Sequence, residues 1–228
     1  MSKLTRGIKG EDKVKEVLSS LKEYHHVLND ISFINDKTSM THQIDHILIH
    51  PLGVFLLETK NYYGRIEIDR LTKTWYKIVN NKRIRISNPL SQNKGHLVIL
   101  NRVLSKKYEV IPLIVFVKNN APYIDNTSND NLINLDDLLL FISSYPSRRV
   151  LSNNEIDKIK ETIERTSYSV SSNEHIENIK ILKAYKKEQE GQISYALTTS
   201  KCPWCDSPIK HYKNNEYKCS KCNFGFKL

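Results

Sequence analysis

The stretch Gln43-Ile44-Asp45-His46-Ile47-Leu48-Ile49-His50-Pro51-Leu52-Gly53-Val54-Phe55-Leu56-Leu57-Glu58-Thr59-Lys60 decides how the rest of the chain is read. Two runs rich in Ile, Leu, Val and Phe flank Pro51-Leu52-Gly53, the composition of two strands joined in a hairpin. With the turn centred on Pro51-Leu52, His50 lies opposite Gly53, and counting outward sets Asp45 opposite Glu58. Directly opposed residues have Cβ atoms roughly 5 Å apart. Alternation along a strand puts Glu58 and Lys60 on one face. The open end of the hairpin therefore collects two carboxylates and one ammonium. One extra residue in the turn would shift the register and undo the arrangement.

Two carboxylates that close repel, and one is pushed to protonate. A divalent cation removes the conflict. Oxygen ligands of this kind suit Mg²⁺, which keeps several waters and takes one or two carboxylates with substrate phosphate. The competing reading is a salt bridge in which Lys60 neutralises Glu58 or Asp45.

Upstream, Glu11 to Leu21 reads as an amphipathic helix, with Val14, Val17, Leu18 and Leu21 at i, i+3, i+4, i+7. Glu11 then projects from the first turn, where the helix dipole favours a carboxylate. Val27 to Ile34 reads as a strand. Downstream, Arg65 to Asp69, Thr74 to Val79 and Arg83 to Ile86 alternate as strands. Arg83 and Arg85 share one face of the last, which suits a phosphate backbone or a solvated edge. Asn88-Pro89 opens a helix to about Ser105, with Gln92, His96, Ile99 and Val103 on one face. His96 reads as a packed core histidine. Val110 to Val117 is apolar throughout, as in a strand buried on both faces beside a parallel neighbour.

Four segments stand in order along this first half: Gly7-Ile8-Lys9-Gly10-Glu11; Gln43-Ile44-Asp45-His46; Pro51-Leu52-Gly53-Val54-Phe55 with Glu58-Thr59-Lys60-Asn61 and Gly64; and Asn88-Pro89-Leu90 with Gln92. Together they resemble the nuclease-related domain (NERD), a branch of the PD-(D/E)XK nuclease superfamily. Ile44, not Pro, precedes Asp45, as is usual in NERD. The resemblance implies an α/β, restriction-endonuclease-like αβββαβ core with a mixed sheet flanked by helices. It also implies a nuclease hydrolysing phosphodiester bonds in DNA with Mg²⁺ or Mn²⁺. Asp45 and Glu58 would hold the ion, joined by the Thr59 carbonyl, and Glu11 would orient or ligate through water. Lys60 would position the attacking water, and Gln92 would help hold the site or the substrate.

After Pro122 the composition turns polar. Leu135 to Ile142 reads as a short helix, and Ser152-Asn153-Asn154-Glu155 opens another with capping-box spacing. Ser167 to Ser172 is a Ser-rich break, Glu174 to Gln189 looks helical, and 190–200 reads as a linker. The expected organisation is a nuclease core at 1–122, a helical extension at 123–189, the linker at 190–200 and a zinc ribbon at 201–228.

That last element rests on Cys202-Pro203-Trp204-Cys205 and Cys219-Ser220-Lys221-Cys222. Two C-x-x-C knuckles make a tetrahedral Zn²⁺ site that leaves no open position, hence a structural one. Two disulfides are the alternative. So short a segment holds no core unaided, so the metal supplies its folding energy. The ribbon is similar to the zinc modules of topoisomerases. It carries six lysines against two acids, with Trp204, Tyr212, Tyr217, Phe224 and Phe226 among them. Lys210, Lys213 and Lys221 would hold phosphates while bases stack on aromatics; in the competing view the aromatics pack the ribbon's own core.

The net charge of +10 favours a polyanionic partner, nucleic acid first. No apolar run approaches the roughly 18 residues that span a bilayer, so a cytoplasmic protein is expected. Two rival functions keep the same fold: a nucleic-acid-binding adaptor that cleaves nothing, and a protein-interaction module. DNA against RNA, one strand against two, and endo- against exonuclease action are not written in the sequence.

Overall fold

In a computed structural model of the chain, the hairpin forms as β2 (Met40–His50) and β3 (Gly53–Lys60), with Pro51-Leu52 at its tip. Its ladder runs from His50↔Gly53 to His46↔Leu57, the register counted from the sequence. The structure describes residues 3–35, 40–69, 71–122, 132–167 and 172–227, with backbone alone at 3–5, 34–35, 40–41, 172–183, 185–186 and 213. The chain divides into two compact units, Met1–Val170 and Ser171–Leu228.

In the first unit β1 (His26–Asn35) pairs antiparallel with β2. On the other side of the hairpin, β7 (Val110–Phe116) pairs with β3 in parallel, from Val54↔Val110 to Lys60↔Phe116. A short β8 (Leu132–Asn134) continues the parallel run, giving a mixed sheet of order β1-β2-β3-β7-β8. The apolar run at 110–117 thus finds the parallel neighbour its composition requires. Its odd residues, Ile111, Leu113, Val115 and Val117, face one core cluster; Ile114 and Phe116 face another.

Helices cover both faces. On one side α1 (Lys3–Leu18) and α3 (Leu138–Ser143) bury Val14, Leu18, Leu138 and Ile142 against Leu48, Phe55 and Leu57. On the other, α2 (Pro89–Val103) and α4 (Asn153–Thr166) bury Ile99, Leu100, Ile156, Ile159 and Ile163 against Ile47, Ile49, Val54 and Leu56. Asn88 caps α2, its side-chain oxygen accepting from the Leu90 N–H at 2.9 Å, with Pro89 in the first turn. At α4 the Ser152 N–H donates to the Glu155 carboxylate at 3.1 Å. A second sheet, β4 (Arg65–Ile68), β5 (Trp75–Val79) and β6 (Lys82–Ile86), is antiparallel throughout and buries Ile66 and Trp75 against Ile114 and Phe116. Gly64 admits the chain to it: φ is +91°, and a Cβ there would collide with the Ile78 carbonyl oxygen.

Two expectations change. Helix α1 begins at Lys3, not at Glu11, so Glu11 sits two turns inside it and the dipole of the first turn does not reach it. Gly7 and Gly10 both lie within the helix, and packing requires the second of them. A Cβ on Gly10 would stand 2.9 Å from Asn61 Cβ, and Asn61 Nδ2 donates to the Arg6 carbonyl at 2.8 Å. Helix α1 is thereby clasped to the residue after Lys60. Residues 190–199 are not a linker: α5 (Ser172–Thr199) is continuous through them. Ala196 explains why, since it is buried with Cys202 and Phe224. The Ser-rich break falls mostly on 168–171, outside the described residues.

Candidate active site

The alternation of β1 and β2 is reset where the acidic residues stand. Leu28, Ile31 and Phe33 all reach one cluster, as do Ile44, Ile47 and Ile49, although strict alternation would separate Leu28 from Ile31 and Ile44 from Ile47. The reset lies between Asn29↔His46 and Ile31↔Ile44, where Asp30 and Asp45 stand across from each other. Asp30 takes φ +56°, the left-handed region that Asp tolerates better than most residues. His46, fully buried, brackets the spot: its Nδ1 lies 2.7 Å from Asn29 Oδ1, and burial pushes it down to about 4, so it stays neutral.

At this point the hairpin ladder opens. Asp45 Oδ2 accepts the Thr59 N–H at 2.7 Å. Glu58, next on β3, is 2% exposed. Its Oε1 accepts from Lys60 Nζ at 2.5 Å, and Lys60 Nζ also donates to Gln92 Oε1 at 3.3 Å. Glu58 Oε2 has no hydrogen-bond partner among the described residues, with His96 Nδ1 3.5 Å away. His96 is thus more than the packed histidine read from the sequence: it is buried, but it faces Glu58 from α2, one turn beyond Gln92. Asn93 beside it anchors that helix, donating to the Leu113 carbonyl at 3.0 Å.

The electrostatics follow from crowding. Burial and then the Glu58 charge push Asp45 up to about 7, against an ordinary 3.8. Burial, then Asp45 and Asp30, push Glu11 up to about 7. Burial likewise raises Glu58. For Lys60, burial works against the ammonium, but the Glu58 carboxylate outweighs it and holds the group above its ordinary value. Glu11, Asp45, Glu58 and Asp30 thus feel one another around a single deeply buried ammonium. Lys15, 3.6 Å from Asp30, offsets part of the remainder at the edge. A buried carboxylate oxygen without a donor, in a field this negative, fits a divalent cation. Among the described residues the acids do not gather three ligand atoms as tightly as the cysteines described below.

All five residues read from the sequence as catalytic meet here; Asp30 and His96 were not among them. His96 had a signal, its place on the Gln92 face of α2. Asp30 had none, since left-handed backbone inside a strand leaves no periodic trace. Of the two arginines on β6, Arg85 is exposed, while Arg83 lies over the Tyr76 ring at 3.7 Å and 3.7 Å from Glu67.

The second unit places the four cysteines around β9 (Ile209–Tyr212), β10 (Glu216–Cys219) and β11 (Gly225–Lys227), an antiparallel sheet of order β11-β10-β9. Their Sγ atoms all lie within 4.8 Å of one another, the one such group of three or more candidate ligands among the described residues. Cys202–Cys222 is 3.5 Å, and Cys205–Cys219 and Cys205–Cys222 are each 3.6 Å. A disulfide needs about 2.05 Å, whereas the edge of a tetrahedron with Zn–S of about 2.3 Å is ~3.8 Å. Backbone N–H groups of Trp204, Lys221 and Cys222 point at Cys202 and Cys219 Sγ from 3.3 to 3.4 Å, as thiolates require. The cluster therefore fits a small zinc site and not two disulfides. Around it Phe224 is buried and Tyr217 stacks on Phe226 at 4.9 Å, so these aromatics do pack the ribbon; Trp204 and Tyr212 are exposed. Lys210 and Lys221 are exposed too, and the Lys213 side chain lies outside the described residues. No helix among the described residues is long and apolar enough to cross a membrane.

Residues 6–117 match the nuclease-related domain family. That span holds the hairpin, both sheets as far as β7, and each of the five site residues. An uncharacterized protein of Bacillus anthracis is 31% identical over 166 residues, covering 71% of this chain and 77% of that one. No solved structure matches. By the family match, by this relative and by the αβββαβ arrangement around Asp45, Glu58 and Lys60, the chain belongs to the nuclease-related domain (NERD) family.

Proposed function

We propose that this chain is a Mg²⁺-dependent nuclease that hydrolyses phosphodiester bonds in DNA, with Mn²⁺ able to replace Mg²⁺. The observation that carries the reading is the charge balance at the hairpin's open end. Asp45 and Glu11 sit near 7 and Glu58 is raised, while one buried ammonium answers them. Asp45 and Glu58 would hold the ion. When bound, it polarises the scissile phosphate and lowers the pKa of a bound water.

The chain's own groups do the rest. Lys60 stays protonated and, tethered by Glu58 and Gln92, presents its remaining N–H to a phosphate oxygen, where it offsets the negative charge that builds in the transition state. Glu11, half-buried and near 7, takes a proton from the attacking water at neutral pH. The water oxygen bonds to phosphorus as the bond to the leaving sugar oxygen breaks, and that oxygen takes its proton from solvent water. Four cysteines hold a structural zinc, and the ribbon around it assists nucleic-acid binding through Lys210, Lys221, Tyr212 and Trp204. Unbridged thiols at these spacings suit a reducing compartment such as the cytoplasm.

The test is incubation with supercoiled circular and linear single-stranded DNA in Mg²⁺, Mn²⁺ or EDTA. The wild type should cut only with metal, and Lys60→Ala should lose roughly 10² to 10³ in rate. Cutting that persists in Asp45→Ala would be contamination. Binding without cutting under every condition would leave a nucleic-acid adaptor on the same fold.

A further inference from the structure

Next to Lys60 opens a groove of about 600 Å³, lined by Arg6, Lys60, Asn61, Tyr63, Lys77, Arg85 and Gln92 among others. No Asp or Glu lines it. Lys60 is answered by Glu58, but Arg6, Lys77 and Arg85 form no ion pair among the described residues. What sets them apart is the company they keep: the other face of the same small sheet holds Glu67, which answers Arg65 and Arg83, whereas the groove has no acid to answer them. Arg6 from α1 and Lys77 from β5 face the groove unanswered and repel Lys60 and one another, whereas Arg85, paired with Tyr76, belongs to the opposite face of its sheet and lines the groove from between Ile84 and Ile86. That arrangement makes sense where a polyanion lies between them. Tyr63 adds a second feature. Its ring is 65% exposed at the groove wall, while its neighbour Tyr62 turns inward onto Phe116. A large ring left in water beside free cations presents a face for stacking.

We propose that this groove binds one unpaired nucleic-acid strand, with Arg6 and Lys77 on its phosphates and a base stacked on Tyr63. The class of ligand follows from the ring. A base inside a duplex has both faces covered by its neighbours, whereas an unpaired base has a face free for an aromatic side chain. The groove leads to Lys60 and Gln92, so the strand it holds is delivered to the site. This inference rests on the nuclease reading for what happens next, but not for binding.

The test uses the full chain in EDTA, where no cutting occurs. A single-stranded oligothymidine carrying 5-iodouracil is irradiated with the protein, and the crosslinked residue is identified by mass spectrometry; its affinity is measured beside that of a duplex. Crosslinking should fall on Tyr63. Tyr63→Ala should weaken single-strand binding about tenfold, and Tyr63→Phe, which keeps the ring, should bind as the wild type does. Arg6→Ala and Lys77→Ala should each lower the salt dependence by about 0.7. Crosslinks confined to the ribbon, or equal loss of duplex and single-strand affinity in Tyr63→Ala, would overturn the proposal. If the strand binds here and nothing is cut when Mg²⁺ is added, the groove stands and the nuclease reading falls. If cutting proceeds while Tyr63→Ala leaves single-strand binding intact, the groove falls and the nuclease reading stands.

Discussion

The cysteine cluster, which fits zinc, and the acidic cluster, where we propose Mg²⁺ binds, are opposites. In the second unit four sulfur atoms converge from two knuckles, all within 4.8 Å, with backbone N–H groups turned toward them. That site is closed. In the first unit carboxylates from α1, β1, β2 and β3 meet around one lysine, with a buried oxygen left over. That site is open. A closed site holds its ion by completing the coordination, and the ion holds the fold together. An open site stays under electrostatic strain until an ion and substrate arrive, and the fold holds it together. On the reading proposed above, one would use its metal for stability and the other would spend stability to keep its metal reactive.

The largest break in this comparison comes from removing the metal. The purified protein should carry one zinc per chain. Stripping it should unfold residues 201–227, because apparent zinc binding in such modules is worth about 10–16 kcal/mol, while Phe224 and a few stacked rings offer little core. Amide dispersion should collapse for the second unit and stay intact for the first. A ribbon that keeps its dispersion without metal would contradict the assignment.

A smaller effect sharpens the other half. Asp45 and Glu11 titrate near 7 in the folded chain, against ordinary values of 3.8 and 4.5. Between those limits the folded state holds more protons than the unfolded state. The share of stability that Asp45 carries without divalent ion therefore falls as pH rises from about 4 to about 7, and it is read as the difference between the wild type and Asp45→Asn, because His46, held near 4, works in the other direction. Mg²⁺, which binds the deprotonated acids, should flatten that fall. Melting curves across the window, with EDTA and with Mg²⁺, check it. A difference between the wild type and Asp45→Asn that stays flat or rises through the window would show that the acids are paired more fully than their geometry allows.

The smallest effects come from two glycines. Gly10 packs against Asn61, so Gly10→Ala forces a shift that overpacking typically charges at about 1–3 kcal/mol, less the ~1 kcal/mol a helix gains from Ala. Gly191, inside α5, has nothing within 4 Å of an added Cβ, and Gly191→Ala should stabilise by up to about 1 kcal/mol. Chemical denaturation followed separately for each unit reads both signs.

How far each site could be read from the sequence follows the same division. Two C-x-x-C pairs encode a closed site by local spacing alone. The open site was legible only as far as hairpin geometry carried: the turn at Pro51-Leu52 fixes the register, and the apolar run at 110–117 requires a parallel partner. Beyond that, contributions came from residues whose placement depends on the third dimension. Asp30 reaches the site because one residue of β1 turns left-handed. His96 reaches it because Asn93 pins α2 over β7. The stripe of Val14, Val17, Leu18 and Leu21 places the helix from Glu11, whereas α1 begins at Lys3; the turns ahead of the stripe hold Gly10, which admits Asn61.

Ala196 is the residue of α5 that lies buried with the ribbon's Cys202 and Phe224. An exchange between genes that carried off only residues 201–228 would deliver the cysteines and leave the floor of their core behind. The piece of this chain that inheritance could shuffle intact begins inside the helix, not where the cysteines begin.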